Sequence, residues 1–105
     1  MTAGDQVRVR NAKREVAATL LHVAEVERLP SMPCKHFDDL KQPSARRLLE
    51  AWGVRQVALL NYRYQTLGGM MRSKDFYALE IGGRWFTVKR EPLTIEAMAP
   101  DPVEG

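Results

Sequence analysis

The stretch "SKDFYALEIGGRWFTVKRE", residues 73–91, decides the fold prediction, because two alternating runs flank a pair of glycines. Gly82 and Gly83 suit the two-residue turn of a β-hairpin, whose favoured types need positive φ at one or both central residues. With that turn, one face is apolar except at its ends and the outermost pairs join opposite charges. The charged residues at the two ends of this stretch are therefore explained by the register of a hairpin, and they do not by themselves indicate a binding partner. The predicted cross-strand pairs are Ile81–Arg84, Glu80–Trp85, Leu79–Phe86, Ala78–Thr87, Tyr77–Val88, Phe76–Lys89, Asp75–Arg90 and Lys74–Glu91.

The residues that precede this hairpin also alternate with a period of two. In "VALLNYRYQTL", residues 57–67, the side chains of Leu60, Tyr62 and Tyr64 share one face. Arg63 lies on the opposite, polar face. This alternation is typical of a strand in an antiparallel sheet with one face in water. We therefore predict a strand here.

A long helix is predicted over residues 13–29. Apolar residues such as Ala17 and Leu20 fall on one side of a helical wheel, and polar residues fall on the other. Asn11 is a suitable N-cap, because its side-chain oxygen can accept hydrogen bonds from the first backbone N–H groups of a helix. Pro30 follows directly and ends the predicted helix.

The remaining elements complete the predicted fold. The run "QVRVR", residues 6–10, alternates as a first strand, and residues 93–95 form a short last strand. A second helix is predicted from Pro43 to a stop at Gly53, with Leu48 among its buried residues. We expect an α+β fold of order β-α-α-β-β-β, with two helices packed on one face of an antiparallel sheet of three to four strands.

Length and composition predict one small globular domain. The chain has 105 residues, of which 45% are apolar and 28% charged, which is ordinary for a globular protein. No run approaches the roughly 20 apolar residues of a membrane span. We expect one domain over residues 1–99 and a flexible acidic tail over residues 100–105. The first 15 residues contain no apolar run of the kind a signal peptide needs, which predicts a cytoplasmic location. The single cysteine, Cys34, cannot form an internal disulfide, which agrees with a reducing compartment.

Catalytic, metal and cofactor sites are not indicated by the sequence. Cys34, His36 and Asp38 alternate, but a structural zinc site normally needs two close pairs of ligands. A lone cysteine with a histidine is also too little for a nucleophile and its base. The glycine pairs do not open a helix after a strand, as phosphate-binding loops do. We therefore expect no catalytic residue, no metal and no cofactor, and a binding role rather than an enzyme.

The basic residues give the most specific functional prediction. If the helices cover one face of the sheet, the opposite face presents cations and an aromatic ring, which can grip phosphates and stack on a base. DNA or RNA is therefore the expected partner. The alternative is a protein partner or a homodimer, with Phe76, Ala78 and Trp85 beneath another subunit. The predicted nucleic-acid-binding residues are Arg46, Arg47, Arg63, Arg84, Trp85 and Lys89.

The predicted element order and the stretch "DFYALEIGGRWFTVKRE", residues 75–91, resemble the RelE/ParE superfamily of bacterial toxins. Those proteins are similarly short and basic, and their strand pair places an aromatic residue, alternating aliphatic residues and an arginine near the turn. The resemblance implies a ribosome-dependent ribonuclease, in which Arg and Lys stabilise the phosphate transition state, or a gyrase-directed toxin, with an antitoxin as partner. It covers about half of the chain. The long strand over residues 57–67 and the acidic end depart from the family pattern.

Overall fold

The computed structural model describes residues 2–31 and 35–98, apart from the side chain of His36. These residues form six β-strands, one α-helix and two short 3₁₀ helices. The first half consists of β1 (Gln6–Arg10), β2 (Glu15–Glu25), the 3₁₀ helices Val26–Ser31 and Lys35–Lys41, and α1 (Pro43–Ala51). The second half consists of β3 (Val54–Gln65), β4 (Met71–Ile81), β5 (Arg84–Thr87) and β6 (Pro92–Ala97).

The six strands form a closed antiparallel barrel in which each strand pairs with the next along the chain. Pairing of β1 with β6 closes the barrel, with Val7 opposite Ala97 and Arg10 opposite Thr94. The pairing of β2 with β3 shifts register at Leu21, which forms a bulge. Closure gives the central part of every strand a hydrogen-bonding neighbour on both sides.

The helix predicted over residues 13–29 is wrong, because this segment is β2 followed by the first 3₁₀ helix. Asn11 does not cap a helix. Its side-chain oxygen accepts hydrogen bonds from the backbone N–H groups of Lys13 (2.8 Å) and Arg14 (2.9 Å), which stabilises the turn between β1 and β2. Asparagine serves turns and helix N-caps through the same kind of bond. Pairing with β1 on one edge and β3 on the other selects the strand.

The predicted α+β fold, with two helices on one face of a three- to four-stranded sheet, is therefore wrong. The additional strand β2 lies between β1 and β3 and allows the sheet to close. Within the described residues α1 is the only α-helix. The order β-α-α-β-β-β, on which the resemblance to the RelE/ParE superfamily depended, is replaced by β-β-α-β-β-β-β, with the two 3₁₀ helices just before α1.

The register of the β4–β5 hairpin is confirmed for its first four pairs, in which residues 78–81 face residues 84–87. Gly82 and Gly83 have φ values of 59° and 85°. Both central residues of this two-residue turn need positive φ, a conformation that costs glycine least. The glycine pair therefore determined this part of the hairpin as predicted.

The four outer pairs of the predicted hairpin are wrong, because the chain turns away after Thr87. The Thr87 N–H group donates to the Glu91 carbonyl oxygen at 2.8 Å. Arg90 adopts a φ of 66°, and its guanidinium carbon lies 4.8 Å from the centroid of the Trp52 ring, a cation–π contact. Lys74, predicted to pair with Glu91, instead lies opposite a residue of β3.

Small residues fill the middle of the barrel. Ala58 on β3 lies directly opposite Ala78 on β4, and both are fully buried. A six-stranded barrel is narrow, since barrel diameter grows with strand number, and alanine fits its centre. Tyr62 and Trp85 pack against this core from partly buried positions. The buried residues of the barrel core are Val7, Val9, Ala18, Leu20, Ala58, Leu60 and Ala78.

The segment between β2 and β3 covers part of the outer surface of the barrel. Val57 and Leu59 pack beneath this segment, whereas Ala58 and Leu60 pack inside the barrel. The middle of β3 is therefore buried on both faces, which explains why its sequence there is the continuous apolar run "VALL", residues 57–60.

Phe37 anchors this outer layer. Its side chain is fully buried, and its ring centroid lies 5.9 Å from that of His22 and 6.2 Å from that of Tyr77. Leu49 of α1 joins the same cluster. Leu48, predicted to be buried, is 52% exposed. The helical segment is thus attached through few large side chains.

Some predictions concern residues outside the described part of the chain. These are the acidic tail, residues 100–105, and any role for Cys34. Of the helices in residues 2–31 and 35–98, none has the length and apolar character needed to cross a membrane.

Candidate nucleic-acid interface

The β3–β4 hairpin extends beyond the barrel as a two-stranded ribbon. β3 pairs with β2 as far as Asn61, and β4 pairs with β5 from Ala78 onward. Residues 62–65 pair with residues 71–74 and have no other strand beside them in the described chain. Four pairs at about 3.3 Å per residue project roughly 13 Å. We call residues 62–74 the ribbon.

Local hydrogen bonds close the tip of the ribbon. The Thr66 N–H group donates to the Met70 carbonyl oxygen at 2.9 Å, and the Thr66 hydroxyl accepts from the Met70 N–H group at 3.1 Å. Gly69 has a φ of 84° and donates its N–H group to the Thr66 carbonyl oxygen. These bonds fix how the two strands face each other.

One face of the ribbon combines tyrosines and cations. Tyr62 lies opposite Lys74, and Tyr64 lies opposite Arg72. Residues two apart on a strand point to the same side, so these four side chains share one face. Tyr64 is 41% exposed, and Arg72 and Lys74 are also exposed. We call this set the ribbon face.

Arg14, from the turn between β1 and β2, contacts the ribbon face. Its Nη2 donates to the Tyr62 hydroxyl at 3.1 Å, and its guanidinium carbon lies 5.5 Å from the centroid of the Tyr62 ring. The Tyr62 ring centroid is 5.9 Å from that of Tyr64 and 5.8 Å from that of Phe76. Contacts on several sides therefore hold Tyr62 in place at the end of the barrel.

The ribbon carries positive charge without a matching negative charge. Residues 62–74 contain Arg63, Arg72 and Lys74 and no acidic residue. The next acidic residue, Asp75, accepts a hydrogen bond from the Asn61 side chain at 2.6 Å. Since Asp75 follows Lys74 directly on the strand, it points to the opposite face. The ribbon face itself is therefore free of carboxylates.

Two groups of carboxylates outside the ribbon face have defined surroundings. At the base of β2, Glu15 forms ion pairs with Arg8 (3.4 Å) and Arg10 (2.9 Å). The hydrogen bond to Glu15 and the charge of its carboxylate raise the pKa of Arg10 above its ordinary value. A separate cavity of about 310 Å³, beside the start of β3, is lined by Glu25, Glu27 and Glu50. Neither group adds a carboxylate to the ribbon face, which favours the approach of a polyanion there.

The six residues predicted to bind nucleic acid do not converge on one face. Arg63 lies on the ribbon opposite Ser73, on the reverse side from the ribbon face. Arg84 lies opposite Ile81, eight residues further along β4, which corresponds to roughly 26 Å. The two arginines therefore mark opposite ends of the barrel.

The other four predicted residues lie in three further places. Arg46 and Arg47 lie on α1, where Arg46 pairs with Glu50 at 3.6 Å. Lys89 is exposed in the turn after β5. Trp85 packs against the barrel core. The same packing accounts for Phe76 and Ala78, the apolar residues that the homodimer hypothesis placed beneath another subunit.

Sequence reasoning missed the ribbon face as a binding site, since none of its four residues was among the six predicted. Tyr62 and Tyr64 do share a face, as predicted, but that face was taken as the buried side of a sheet. A usable signal was present, since residues 62–74 combine two tyrosines, three cations and no acid. Arg14 had no such signal, because its contact with Tyr62 joins positions 48 residues apart.

Neither a metal centre nor a known relative indicates the function. Residues 2–31 and 35–98 contain no group of three or more His, Cys, Asp or Glu side chains that could hold a metal ion. No protein-family model, curated protein or solved structure matches the chain. The function is therefore inferred from the chemistry of the ribbon face and its surroundings.

Proposed function

We propose that this chain is a non-enzymatic cytoplasmic protein that binds nucleic acid through the ribbon face. The observation that carries the proposal is the arrangement of two tyrosines beside two cations on an exposed two-stranded ribbon. Aromatic rings stack on bases of any sequence, and neighbouring cations contact the phosphates. Tyr64 is the most accessible ring, and Arg72 directly opposite supplies a charge beside it.

The spacing of the tyrosines supports contact with separated bases. Same-face side chains on a strand are about 6.6 Å apart, roughly twice the 3.4 Å rise of stacked bases. The observed centroid distance between Tyr62 and Tyr64 is 5.9 Å. The two rings therefore match separated rather than stacked bases, with Tyr64 as the exposed ring and Tyr62 held by Arg14. Arg72 lies directly opposite Tyr64, and Lys74 lies directly opposite Tyr62.

The composition of the ribbon favours binding over catalysis. Residues 62–74 contain no histidine, cysteine or carboxylate that could act as a general base or nucleophile. The Tyr62 hydroxyl accepts a hydrogen bond from Arg14, which suits a fixed ring rather than a proton-transfer group. We therefore expect the ribbon to bind a polyanion without cleaving it, and recovery of intact RNA tests whether its tyrosines and cations also act on the bound strand.

A protein partner is the second candidate function, and the tip of the ribbon favours it. Leu67, Met70 and Met71 are large apolar residues with more than half of their surface exposed. Exposed apolar residues that cluster are typical of protein contacts. Sedimentation of the protein alone tests the homodimer form of this candidate, because self-association through the tip gives a concentration-dependent mass without any nucleic acid.

Salt-dependent binding of labelled oligonucleotides tests the proposal. We expect saturable fluorescence anisotropy with the full chain at about 50 mM salt and clearly weaker binding at about 200 mM, because phosphate contacts release counterions. Recovery of intact RNA from the same samples separates a binder from a nuclease. Absence of binding at the lower salt concentration would refute the proposal and leave the tip as the functional surface.

A further inference from the structure

A cavity opens into the end of the barrel beside the ribbon. Its volume is about 180 Å³. Val16, Phe76 and Leu93 are among its apolar lining residues, and Tyr62 also lines it. Arg14 and Lys74 supply two cations to its lining. The cavity therefore joins an apolar interior to the positively charged ribbon face.

The size and chemistry of the cavity restrict what can enter it. Sites for complete small molecules usually exceed about 300 Å³, so this cavity suits a single flat ring rather than a whole nucleotide. The lining is mainly apolar, with hydroxyl and amide groups from Thr87 and Asn11. A flat ring with polar edges fits this lining. An anion attached to the ring would remain outside the cavity, beside Arg14 and Lys74.

The position of Tyr62 connects the cavity to the ribbon. Its ring lies between Phe76, in the wall of the cavity, and Tyr64, on the exposed ribbon, with centroid distances of 5.8 and 5.9 Å. A strand whose base stacks on Tyr64 therefore passes the mouth of the cavity at its next bases. Arg14, which lies against Tyr62, is placed to hold the phosphate between them.

We propose that this cavity receives one unstacked base of the bound strand, with Arg14 and Lys74 on its phosphate, and that the ligand is consequently single-stranded. The inference rests on the proposed function, because the ribbon face positions the strand. A base in a duplex is paired and stacked and must be extruded before it can enter, which costs free energy. A single strand offers free bases without that cost.

Matched valine substitutions on β2 test the cavity. Val16 and Val23 are both partly buried and both pack against the barrel core, but Val16 lines this cavity and Val23 lines a different one. Val16→Phe fills the cavity, and Val23→Phe adds the same bulk elsewhere at a similar packing cost. The probe is a labelled oligonucleotide of about 12 nucleotides, a length within the range of single-strand sites, measured alone and annealed to its complement.

The expected results separate this inference from the proposed function. Wild-type protein should bind the single strand about tenfold more tightly than the duplex, the scale of one base–aromatic contact. Val16→Phe should lose that preference, and Val23→Phe should keep it. Equal wild-type affinity for both probes, or equal binding by the two variants, would overturn the cavity assignment while leaving ribbon binding intact. If wild-type protein binds neither probe, the proposed function itself fails. Because stacking on Tyr64 alone would also favour a single strand, the preference of the wild-type protein is necessary for this inference and the loss of that preference in Val16→Phe carries it. Absence of the preference in the wild-type protein overturns the inference even if Val16→Phe does not fold.

Discussion

Replacing Arg72 and Lys74 together by alanine should weaken single-strand binding roughly fiftyfold at about 50 mM salt. Each cation faces a tyrosine on the ribbon face and is exposed to solvent. Each phosphate contact contributes about 0.7 to the slope of log affinity against log salt for a single strand, so the slope should fall by about 1.4. Anisotropy titrations at several salt concentrations measure both quantities.

The control for this double variant removes the same charge from other surfaces. Arg47 on α1 and Arg84 at the start of β5 are both exposed and lie away from the ribbon. Arg47→Ala combined with Arg84→Ala should leave the salt slope almost unchanged. If the control lowers affinity as much as the ribbon variant, binding responds to net charge alone and the ribbon face is not the site.

Phe37→Ala should lower the free energy of unfolding by about 3–5 kcal/mol, the usual cost of truncating a buried aromatic side chain. Phe37 is fully buried and contacts both His22 on β2 and Tyr77 on β4. The lost side chain leaves a cavity between the helical segment and the barrel, which the surrounding residues fill only in part. Urea denaturation followed by circular dichroism measures the change.

Leu48→Ala provides the comparison for this variant. Leu48 lies in the same helical segment but is 52% exposed, so its truncation should change stability by less than about 1 kcal/mol. Similar losses for Phe37→Ala and Leu48→Ala would show that the helical segment does not pack on the barrel through Phe37.

Parts of the fold that depend on local chemistry could be predicted from the sequence. The Gly82–Gly83 turn sets the register of the adjoining pairs, and Pro43 and Gly53 bracket α1. β2 could not be predicted in this way. Its alanines, leucines and glutamates suit a helix. Pairing with β1 and with β3 selects the strand, and the residues of β2 and β3 that face each other are more than 30 positions apart along the chain.

The prediction of β2 as a helix also prevented the candidate site from being predicted. Once β2 is taken as a helix, the sheet stays open and Trp85 appears on a free face, whereas closure places it against the barrel core. The ribbon face depends on where pairing of β3 with β2 ends, at Asn61, because the same tyrosines would be buried if that pairing continued. No local sequence pattern indicates where the pairing of β3 with β2 ends.

Chemical-shift mapping tests the central claim most directly. Isotope-labelled protein titrated with an oligonucleotide of about 12 nucleotides reports on each backbone amide separately. We predict that the shifted amides cluster in residues 62–65 and 71–74 and at Arg14, with little change in α1. Saturable binding whose shifts fall on α1 or around Arg84, with the ribbon unchanged, would contradict the account.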